Sequence, residues 1–542
     1  MSARPSVVEP AETPGPRVVE PAETPSRVDA AYVEALLRWV TSSSGETASA
    51  LAPFTGDPLP AVPQSSAADV RAAAARARSA QAAWAALPLA ERLRPLIRFA
   101  ELVLKEKDRL LDVVQWETGK SRVHGSIELL GLPAVTAHYA HNAADYLAER
   151  PVLSGTPGLV RTRVAHRPKG LVGVIAPWNY PLFLAVGDVI PALVAGNAVL
   201  SKADSQAPLS LLAARELAAR AGLPDDVWQV VAGRGSVIGP ALIDEVDHLA
   251  FTGSTATGRE LAAACGRRLI GTSMELGGKN PMIVRADADL DAAVTGAVQA
   301  CFSNAGQICI GIERIYVHES RYAAFVDAFA LATKGIRLGA AYDFSVEMGS
   351  LTSAEQLEVT RRHVDDAVAK GAKVVAGGRA RPDLGPLFFE PTVLVDVTPA
   401  MTAYADETFG PVVAVYPVVD DEDAIARAND TDYGLSASIW SRDVETARLM
   451  AARIRAGSVN VNDGYVAAIG SVSAPMGGMG ASGVGRRHGP DGLLRYTETQ
   501  TVATQKRALP YPVKPKGFLA AGAAALRAQL AAARLRNRRS TR

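Results

Sequence analysis

Short β-rich runs alternate with helical runs after Gly170, and this alternation restricts the chain to a small set of folds. The strand candidates are Leu171–Ile175, Asn197–Ser201, Trp228–Val231 and His248–Phe251. They are separated by helical runs such as Pro208–Ala219 and Ala256–Cys265. Strands that alternate with helices predict βαβ units in a parallel, doubly wound α/β sheet. A sheet of this kind binds its ligand at the carboxyl ends of its strands.

A second alternating region follows Gly278 and predicts a separate α/β domain. Its strand candidates are Met282–Val284, Arg314–Val317, Lys373–Val375 and Val412–Val415. A chain of 542 residues is too long for one hydrophobic core, so more than one domain is expected. Ahead of the first strands, Ala67–Lys120 has the apolar spacing of successive helices.

Two further segments have the texture of exposed strands. Apolar and polar residues alternate in Leu159–Pro168, and Thr497–Lys506 is similarly β-rich. Exposed strand edges commonly pair with another subunit. We therefore expect a homo-oligomer, either a homodimer or a homotetramer.

Charge and cysteine usage exclude several classes of function. Lys and Arg together number 57 and Asp and Glu 56, a balance that gives no electrostatic reason for a nucleic-acid partner. The three cysteines are odd in number and form no CxxC pair, so neither a disulfide framework nor a zinc site is expected, and no other metal is predicted. A reducing cytoplasm fits this usage best.

The two ends of the chain and its most apolar region are interpreted separately from the domains. Residues 1–30 repeat the Pro- and Glu-rich string VVEPAETP and predict a disordered extension. Gly170–Leu200 is apolar but contains three prolines, two asparagines and Asp188, which favour strand, turn and helix over a membrane span. Gly517–Arg542 is rich in Ala, Leu and Arg, and two readings stay open: a basic amphipathic helix that touches anionic surfaces, or a solvated tail.

The string FTGSTATG is the best candidate for holding a nucleotide phosphate. A strand ends at Phe251, and Gly253 and Gly258 flank a helix start, where unpaired N–H groups attract phosphate. Ser254 could add a hydroxyl. The G-x-G-x-x-G match that begins at Gly478 follows no convincing strand, and we interpret it as a flexible loop.

The next strand end predicts which nucleotide is bound. Lys202, Ala203, Asp204 and Ser205 follow a strand candidate, where Lys202 is either a solvated end charge or a partner for ribose or phosphate. Ser205 offers no carboxylate to bind a ribose 2′-hydroxyl and repel a 2′-phosphate, which favours NADP over NAD. Asp204 beside it opposes that preference.

The string FSNAGQIC raises the question of whether Cys309 packs or reacts. Cysteine is among the most buried residue types, so a core position is the favoured interpretation of Cys309 taken alone. Glu275 alone would be an ordinary helix-cap or surface carboxylate, and Asn179 a turn asparagine between prolines. Cys301 and Cys265 lie in apolar helical runs and are interpreted as core thiols.

Five motifs in order change that balance: PWNYP, FTGST, MELGGKNP, FSNAGQIC and ETFGP. Together they resemble the aldehyde dehydrogenase superfamily over roughly residues 31–506, and most closely its bacterial succinate-semialdehyde dehydrogenase type. The resemblance implies a Rossmann-like cofactor domain, an α/β catalytic domain and a small β-structured oligomerisation element. It places the cofactor domain at 31–150 and 170–276, the oligomerisation element at 151–169 and 490–506, the catalytic domain at 277–489 and a basic tail at 507–542.

The resemblance also implies roles for individual residues. Cys309 matches the nucleophile, Glu275 the general base and Asn179 the oxyanion donor. The positions that match cofactor-binding residues are Trp178, Asn179, Lys202, Ala203, Asp204, Ser205, Gly253, Ser254, Leu276, Glu407 and Phe409. One departure concerns the substrate: some succinate-semialdehyde dehydrogenases carry an arginine shortly after PWN that holds the substrate carboxylate, and PWNYPLFLAVGD has none.

The expected reaction is NADP-dependent oxidation of an aldehyde, succinic semialdehyde by resemblance, to a carboxylic acid. A cysteine thiolate adds to the carbonyl, and loss of hydride then leaves a thioester that water hydrolyses. The alternatives are another aliphatic or aromatic aldehyde, acyl transfer to coenzyme A, and a catalytically silent nucleotide-binding protein. Retention of Glu275 argues against the second, and retention of Cys309 and Glu275 together against the third.

Overall fold

The computed structural model describes residues 28–154, 159–506 and 515–540. They divide into two compact units. The described residues up to Leu147 and Arg167–Glu498 form the first, and Ala148–His166 with the described residues from Thr499 onward form the second. Most of the predicted N-terminal extension, residues 1–27, lies outside the described part, and the first helix is capped by the Asp29 carboxylate.

The described α-helices fall into three stretches of the chain. Before the first large sheet lie α1 (Ala30–Leu37), α2 (Ala67–Ala86), α3 (Leu89–Lys105), α4 (Lys107–Thr118) and α5 (Arg122–Leu147). Within it lie α6 (Pro181–Val194), α7 (Pro208–Arg220), α8 (Gly235–Glu245) and α9 (Thr255–Arg267). The remainder are α10 (Leu290–Phe302), α11 (Glu319–Lys334), α12 (Ala354–Ala369), α13 (Thr402–Ala405), α14 (Asp421–Ala428), α15 (Val444–Ala451), α16 (Val466–Ile469), α17 (Gly489–Leu494) and α18 (Pro515–Ser540).

The described strands belong to four sheets. The first nine are β1 (Thr47–Ala48), β2 (Val62–Pro63), β3 (Arg150–Val152), β4 (Val160–Pro168), β5 (Leu171–Ile175), β6 (Ala198–Ala203), β7 (Trp228–Ala232), β8 (His248–Thr252) and β9 (Gly271–Glu275). The others are β10 (Asn280–Val284), β11 (Ile312–His318), β12 (Lys373–Ala376), β13 (Thr392–Val395), β14 (Val412–Val418), β15 (Ser436–Trp440), β16 (Ser458–Val461), β17 (Gly483–Val484) and β18 (Thr497–Gln505).

The first large sheet has the strand order β17-β9-β8-β5-β6-β7 and is parallel except at β17. The prediction of a parallel, doubly wound sheet is confirmed. Strands β6, β7 and β8 are buried along their whole length, which explains why they appear in the sequence as continuous apolar runs. Their carboxyl ends, with those of β5 and β9, form one edge, where Ile175 pairs with Phe251 and Thr252 with Glu275.

The second large sheet has the order β12-β13-β14-β11-β10-β15-β16 and is also parallel, apart from its antiparallel edge strand β12. All four strands predicted after Gly278 are present, with β10 and β11 each beginning two residues earlier than expected. The chain enters β11 three residues after Cys309, so this sheet fixes one end of the cysteine loop.

The second unit contains a three-stranded sheet in the order β18-β4-β3 and the helix α18. The strands predicted at Leu159–Pro168 and Thr497–Lys506 are confirmed as β4 and β18. Within the predicted basic tail, residues 507–514 and 541–542 lie outside the described part. The segment between them forms the helix α18, which agrees with the first of the two interpretations given for the tail. Contact of that helix with an anionic surface stays a prediction.

No helix in the described ranges combines the length and apolar character needed to cross a membrane. The apolar region Gly170–Leu200 folds into β5, α6 and the start of β6. Among the described residues, no three His, Cys, Asp or Glu side chains form a group that could hold a metal ion.

The glycine-rich string near Gly478 differs from the loop that we expected. A short 3₁₀ turn at Gly480–Ser482 leads into β17, which pairs antiparallel with the end of β9. Gly483 has a φ of 137°, and a Cβ at this position would lie 2.0 Å from the Met274 carbonyl oxygen. Glycine is therefore required here for close approach to the strand that ends at Glu275. The loop interpretation holds for residues 477–479 but misses β17, because a two-residue strand has no periodic signal in the sequence.

Candidate active site

Cys309 lies in a tight loop between the end of α10 and the start of β11. Asn304, Ala305 and Gly306 all have left-handed backbone angles, with φ of 52°, 54° and 73°. A Cβ on Gly306 would lie 2.0 Å from the Gly410 carbonyl oxygen, so only glycine fits there. A run of left-handed residues is strained and persists only where the surroundings hold it in place.

Buried amide side chains hold this loop. The Gln307 side chain accepts a hydrogen bond from the Thr352 N–H at 2.9 Å and donates to the Asn304 carbonyl oxygen at 2.9 Å. Asn280 Nδ2 donates to the Cys309 carbonyl oxygen at 2.8 Å. The backbone of Cys309 is therefore fixed by contacts on both sides of the thiol.

Asn179, in the loop after β5, contacts the same turn. Its Nδ2 donates to the Gln307 carbonyl oxygen at 3.1 Å, and its own carbonyl oxygen accepts from Asn304 Nδ2 at 3.1 Å. An amide nitrogen carries two hydrogens, so one remains for a further acceptor. The first sheet thus delivers an amide donor directly beside the cysteine loop.

Glu275 is the last residue of β9 and is buried beside β8 and β17. Its Oε1 has no hydrogen-bond partner in the described part of the chain. Burial raises the pKa of its carboxyl group to about 7, against an opposing effect of Arg487. A carboxylate with this pKa can accept and release a proton near neutral pH.

Two cavities meet at Cys309. The first, about 310 Å³, lies at the carboxyl edge of the first sheet, and the second, about 320 Å³, is lined mainly by aliphatic and aromatic side chains. Three residues line both: Asn179, Thr252 and Cys309. Glu275 lines the second cavity. A molecule in either cavity can therefore reach the thiol, and a molecule in the second also reaches the carboxylate.

The thiol is less acidic than a free cysteine. Burial, together with the nearby Glu407 and Glu275 carboxylates, raises the pKa of Cys309 to about 12. The Cys309 thiol is therefore harder to ionise than a cysteine exposed to solvent. The thiol proton must leave for the sulfur to attack.

The first cavity brings together six of the predicted cofactor-binding residues in addition to Asn179: Trp178, Gly253, Ser254, Leu276, Glu407 and Phe409. The Trp178 and Phe409 rings are in edge contact, with centroids 5.6 Å apart. The Gly278 N–H donates to Glu407 Oε1 at 2.8 Å, and a Cβ on Gly277 would lie 2.3 Å from Glu407 Oε2. The two glycines of MELGG therefore leave space for this carboxylate.

Lys202, Ala203, Asp204 and Ser205 are not among the residues that line this cavity. They lie at the carboxyl end of the neighbouring strand β6, where Lys202 pairs with Ile175. Lys202 is buried within the strand rather than following it, and its Nζ donates to the Ala203 carbonyl oxygen. The Asp204 carboxylate accepts from the Gln206 N–H at 2.8 Å, while Ser205 is exposed.

The side chains that line the two cavities have the chemistry that the predicted groups require. The N-terminus of α9 opens at Gly253 and Ser254, which supplies N–H groups and positive dipole for a phosphate. The Trp178 and Phe409 rings offer apolar surface beside it. A dinucleotide in the first cavity and an aldehyde in the second would meet at Cys309.

Residues that the sequence did not indicate also build the site. Thr252 lines both cavities, and Arg487 lines the second. Asn280, Asn304 and Gln307 hold the cysteine loop through buried hydrogen bonds. Asparagine and glutamine beside the predicted nucleophile were the available signal for the loop, whereas no pattern connects Arg487 with Cys309.

Comparison with known proteins gives a consistent result. A model of the aldehyde dehydrogenase family matches residues 39–502. A Mycobacterium tuberculosis protein named "putative succinate-semialdehyde dehydrogenase (NADP+) 2" is 55% identical over 453 residues, covering 84% of this chain and 88% of the relative.

Solved structures agree with that match. An Escherichia coli structure described as an NADP-dependent enzyme superimposes with a TM-score of 0.83 at 35% identity, covering 86% of this chain and 96% of the other. Staphylococcus aureus betaine aldehyde dehydrogenase in complex with NAD+ gives a TM-score of 0.83 at 30% identity, with coverage of 88% and 95%.

Proposed function

The chain belongs to the aldehyde dehydrogenase family, and we propose that it oxidises succinic semialdehyde to succinate with NADP as the hydride acceptor. The observation that carries the activity is the position of Cys309 at the junction of two cavities, with Asn179 lining both and Glu275 lining the second. We assign the nucleotide to the cavity at the sheet edge and the aldehyde to the other. No residue other than Cys309, Asn179 and Thr252 is common to the two linings.

Cys309 is proposed as the nucleophile. Its thiol proton passes to solvent as the sulfur attacks, so Glu275, which lines the same cavity and whose carboxyl pKa is near neutrality, stays free for the later hydrolytic step. The thiolate adds to the aldehyde carbon and creates an oxyanion. The free hydrogen on Asn179 Nδ2 and the Cys309 N–H stabilise this charge, and losing one such donor typically raises the barrier by about 3–4 kcal/mol.

Hydrolysis of the thioester is assigned to Glu275. NADP supplies the hydride acceptor when bound, and loss of hydride leaves the acyl group on Cys309 as a thioester. Glu275 then takes a proton from water, which attacks the thioester carbon and releases the acid. Because this base is present and buried in the same cavity, hydrolysis is favoured over transfer of the acyl group to coenzyme A.

The proposed substrate rests on the named relative and on size. The mycobacterial relative is named for succinic semialdehyde and NADP. The second cavity, about 320 Å³, is large enough for a four-carbon semialdehyde. Because its lining is mainly apolar, neutral aliphatic and aromatic aldehydes are the competing class of substrate.

An aldehyde panel tests this proposal. We expect succinic semialdehyde to have the highest kcat/KM among succinic semialdehyde, butanal, hexanal and benzaldehyde, each measured with NADP and with NAD. A kcat/KM for a neutral aldehyde at least tenfold above that for succinic semialdehyde would overturn the substrate assignment. No turnover of any aldehyde would overturn the activity.

The cofactor preference gives a second expected result. Ser205 carries no charge that would repel a ribose 2′-phosphate, and Lys202 lies on the same strand end. A charged hydrogen bond to phosphate contributes about 1–3 kcal/mol, so we expect the parent to favour NADP roughly tenfold to a hundredfold in KM. Ser205→Glu should reverse the preference by adding a carboxylate.

Ser205→Gln is the matched control, because it adds the same bulk without charge and should leave NADP preferred. KM values for both cofactors on the three proteins decide the question. A parent that favours NAD, or equal preferences in the Glu and Gln variants, would mean that Ser205 does not face the ribose.

The domain roles, assembly and compartment are part of the same proposal. We assign the cofactor to the first sheet and the nucleophile to the second, with the boundaries given above. The strand β18 lies at a sheet edge and all but its first residue are exposed, which supports pairing between copies in a homodimer or homotetramer. Cys265, Cys301 and Cys309 are all free thiols, as a reducing cytoplasm would maintain.

A further inference from the structure

Among the described residues that line the second cavity, Arg487 alone has a cationic side chain. Most of the rest is aliphatic or aromatic, as shown by Ile127, Leu130, Phe183, Ile469, Val472 and Met476. An apolar wall suits the methylene spacer of a semialdehyde but offers nothing to its carboxylate. A buried carboxylate needs a charged, hydrogen-bonding partner.

Most other polar side chains of this cavity are engaged or assigned, and the Tyr180 hydroxyl, which has no hydrogen-bond partner in the described part of the chain, carries no charge. Both Glu128 oxygens are bonded, one to Lys120 Nζ at 2.7 Å and the other to the N–H groups that begin α6. Tyr465 donates its hydroxyl to Ser303 at 2.7 Å. Lys120 is fully buried against Glu128 and the Tyr180 ring and does not line the cavity.

Arg487 is buried yet incompletely bonded. Its Nε and Nη2 donate to the two oxygens of Asp188 at 3.1 and 2.6 Å, and Nη2 also donates to Thr252 Oγ1 at 2.6 Å. Within the described part of the chain, Arg487 Nη1 makes no hydrogen bond. It is also not among the fully buried polar atoms that lack a hydrogen-bond partner, so it keeps some accessible surface. This nitrogen is therefore reachable from the cavity that Arg487 lines.

The local charges favour an anion. Arg495 donates to the same Asp188 carboxylate, so two guanidinium groups share one negative charge. Glu275 lines the cavity as well, but no hydrogen bond joins it to Arg487 in the described structure. These two guanidinium groups face the Asp188 and Glu275 carboxylates beside an apolar, poorly solvated space, where a charged hydrogen bond from Arg487 Nη1 to a substrate carboxylate is strong.

We propose that Arg487 anchors the carboxylate of the substrate through Nη1 and thereby selects short ω-oxo acids over neutral aldehydes. This inference rests on the proposed oxidation of succinic semialdehyde. Asp188 and Thr252 fix two nitrogens of the planar guanidinium, so the third is held in place before the substrate arrives. The arginine that is missing after PWN is replaced in function by one that lies about three hundred residues later in the chain.

The test compares two four-carbon aldehydes, succinic semialdehyde and butanal, on the parent and on Arg487→Gln. Loss of a charged hydrogen bond should lower kcat/KM for succinic semialdehyde about tenfold to a hundredfold, mainly through KM. Butanal has no carboxylate, so its kcat/KM should fall only by the factor that a higher Glu275 pKa costs, which is the same for both aldehydes. Asp188 keeps Arg495 as a partner in this variant.

Two further proteins complete the test. Arg487→Lys retains a positive charge without the fork, and we expect it to lose selectivity for the semialdehyde by an intermediate factor. Arg486→Gln is the matched control, because the Arg486 side chain bonds the Gly478 and Gly485 carbonyl oxygens and does not line this cavity. It should leave the ratio of the two aldehydes unchanged.

The outcomes distinguish failure of the Arg487 anchor from failure of the substrate proposal on which it rests. Parent kcat/KM values that are equal for the two aldehydes would overturn the substrate proposal itself. A parent that prefers succinic semialdehyde, with the same ratio in Arg487→Gln and Arg487→Lys, would overturn the anchor alone. Equal losses for both aldehydes, with an alkaline shift of the pH profile, would mean that Arg487 acts on Glu275 instead, which also overturns the anchor.

Discussion

Replacing Cys309 by Ala is expected to lower aldehyde oxidation by at least about four orders of magnitude, because the reaction then has no sulfur to form the thiohemiacetal. Nucleotide binding should survive, since Cys309 contributes only one of the residues that line the first cavity. Steady-state formation of NADPH and a titration of NADP binding by intrinsic fluorescence measure the two properties on one preparation.

Cys301→Ala is the matched control for that change. Cys301 is buried in α10 and lines neither of the cavities at Cys309. Its loss should cost about 1 kcal/mol in the free energy of unfolding and leave turnover near the parent value. Parent-like turnover in Cys309→Ala would contradict the assignment of Cys309 as the nucleophile, whatever the result for Cys301→Ala.

Glu275→Gln is expected to separate the two halves of the reaction. The first turnover should still release reduced cofactor as a burst of about one equivalent per active site, and the following steady state should slow about a hundredfold to ten-thousandfold. The amide keeps the shape of the side chain but cannot accept the proton of water. Stopped-flow absorbance of NADPH resolves both phases.

The pH dependence of the parent follows from the same group. Glu275 acts as a base only when deprotonated, and burial raises the pKa of its carboxyl group to about 7. Deacylation should therefore accelerate as pH rises through about 7 and level off above it, and the Gln variant should lose this step. Hydroxylamine, which cleaves thioesters without a base, should restore turnover in the variant. A variant that hydrolyses at the parent rate would show that the base lies elsewhere.

The parallel core was predictable because its signal is local. Strands such as β7 and β8 are buried on both faces, so each appears as a short continuous apolar run between helices. The end of β6 was harder to predict from the sequence. Lys202 and Ala203 continue the strand and pair with β7, although lysine and the following aspartate resemble the start of a loop.

The parts of the site that were missed depend on contacts between distant segments. Arg487 and Asp188 are 299 residues apart in the sequence but are joined by a hydrogen-bonded ion pair. The strand β17 consists of only two residues, which pair with β9. Neither produces a periodic pattern. The high pKa of Cys309 likewise follows from burial beside Glu407 and Glu275, which only the folded arrangement brings near the thiol.

During turnover the substrate should become covalently bound to Cys309. The most direct measurement is peptide mapping by mass spectrometry of Glu275→Gln, quenched after one turnover with succinic semialdehyde and NADP. We expect a succinyl group on the peptide that contains Cys309, in amounts equal to the burst of reduced cofactor. Reduced cofactor formed alongside an unmodified Cys309, or an acyl group on Cys301 or another residue, would contradict it.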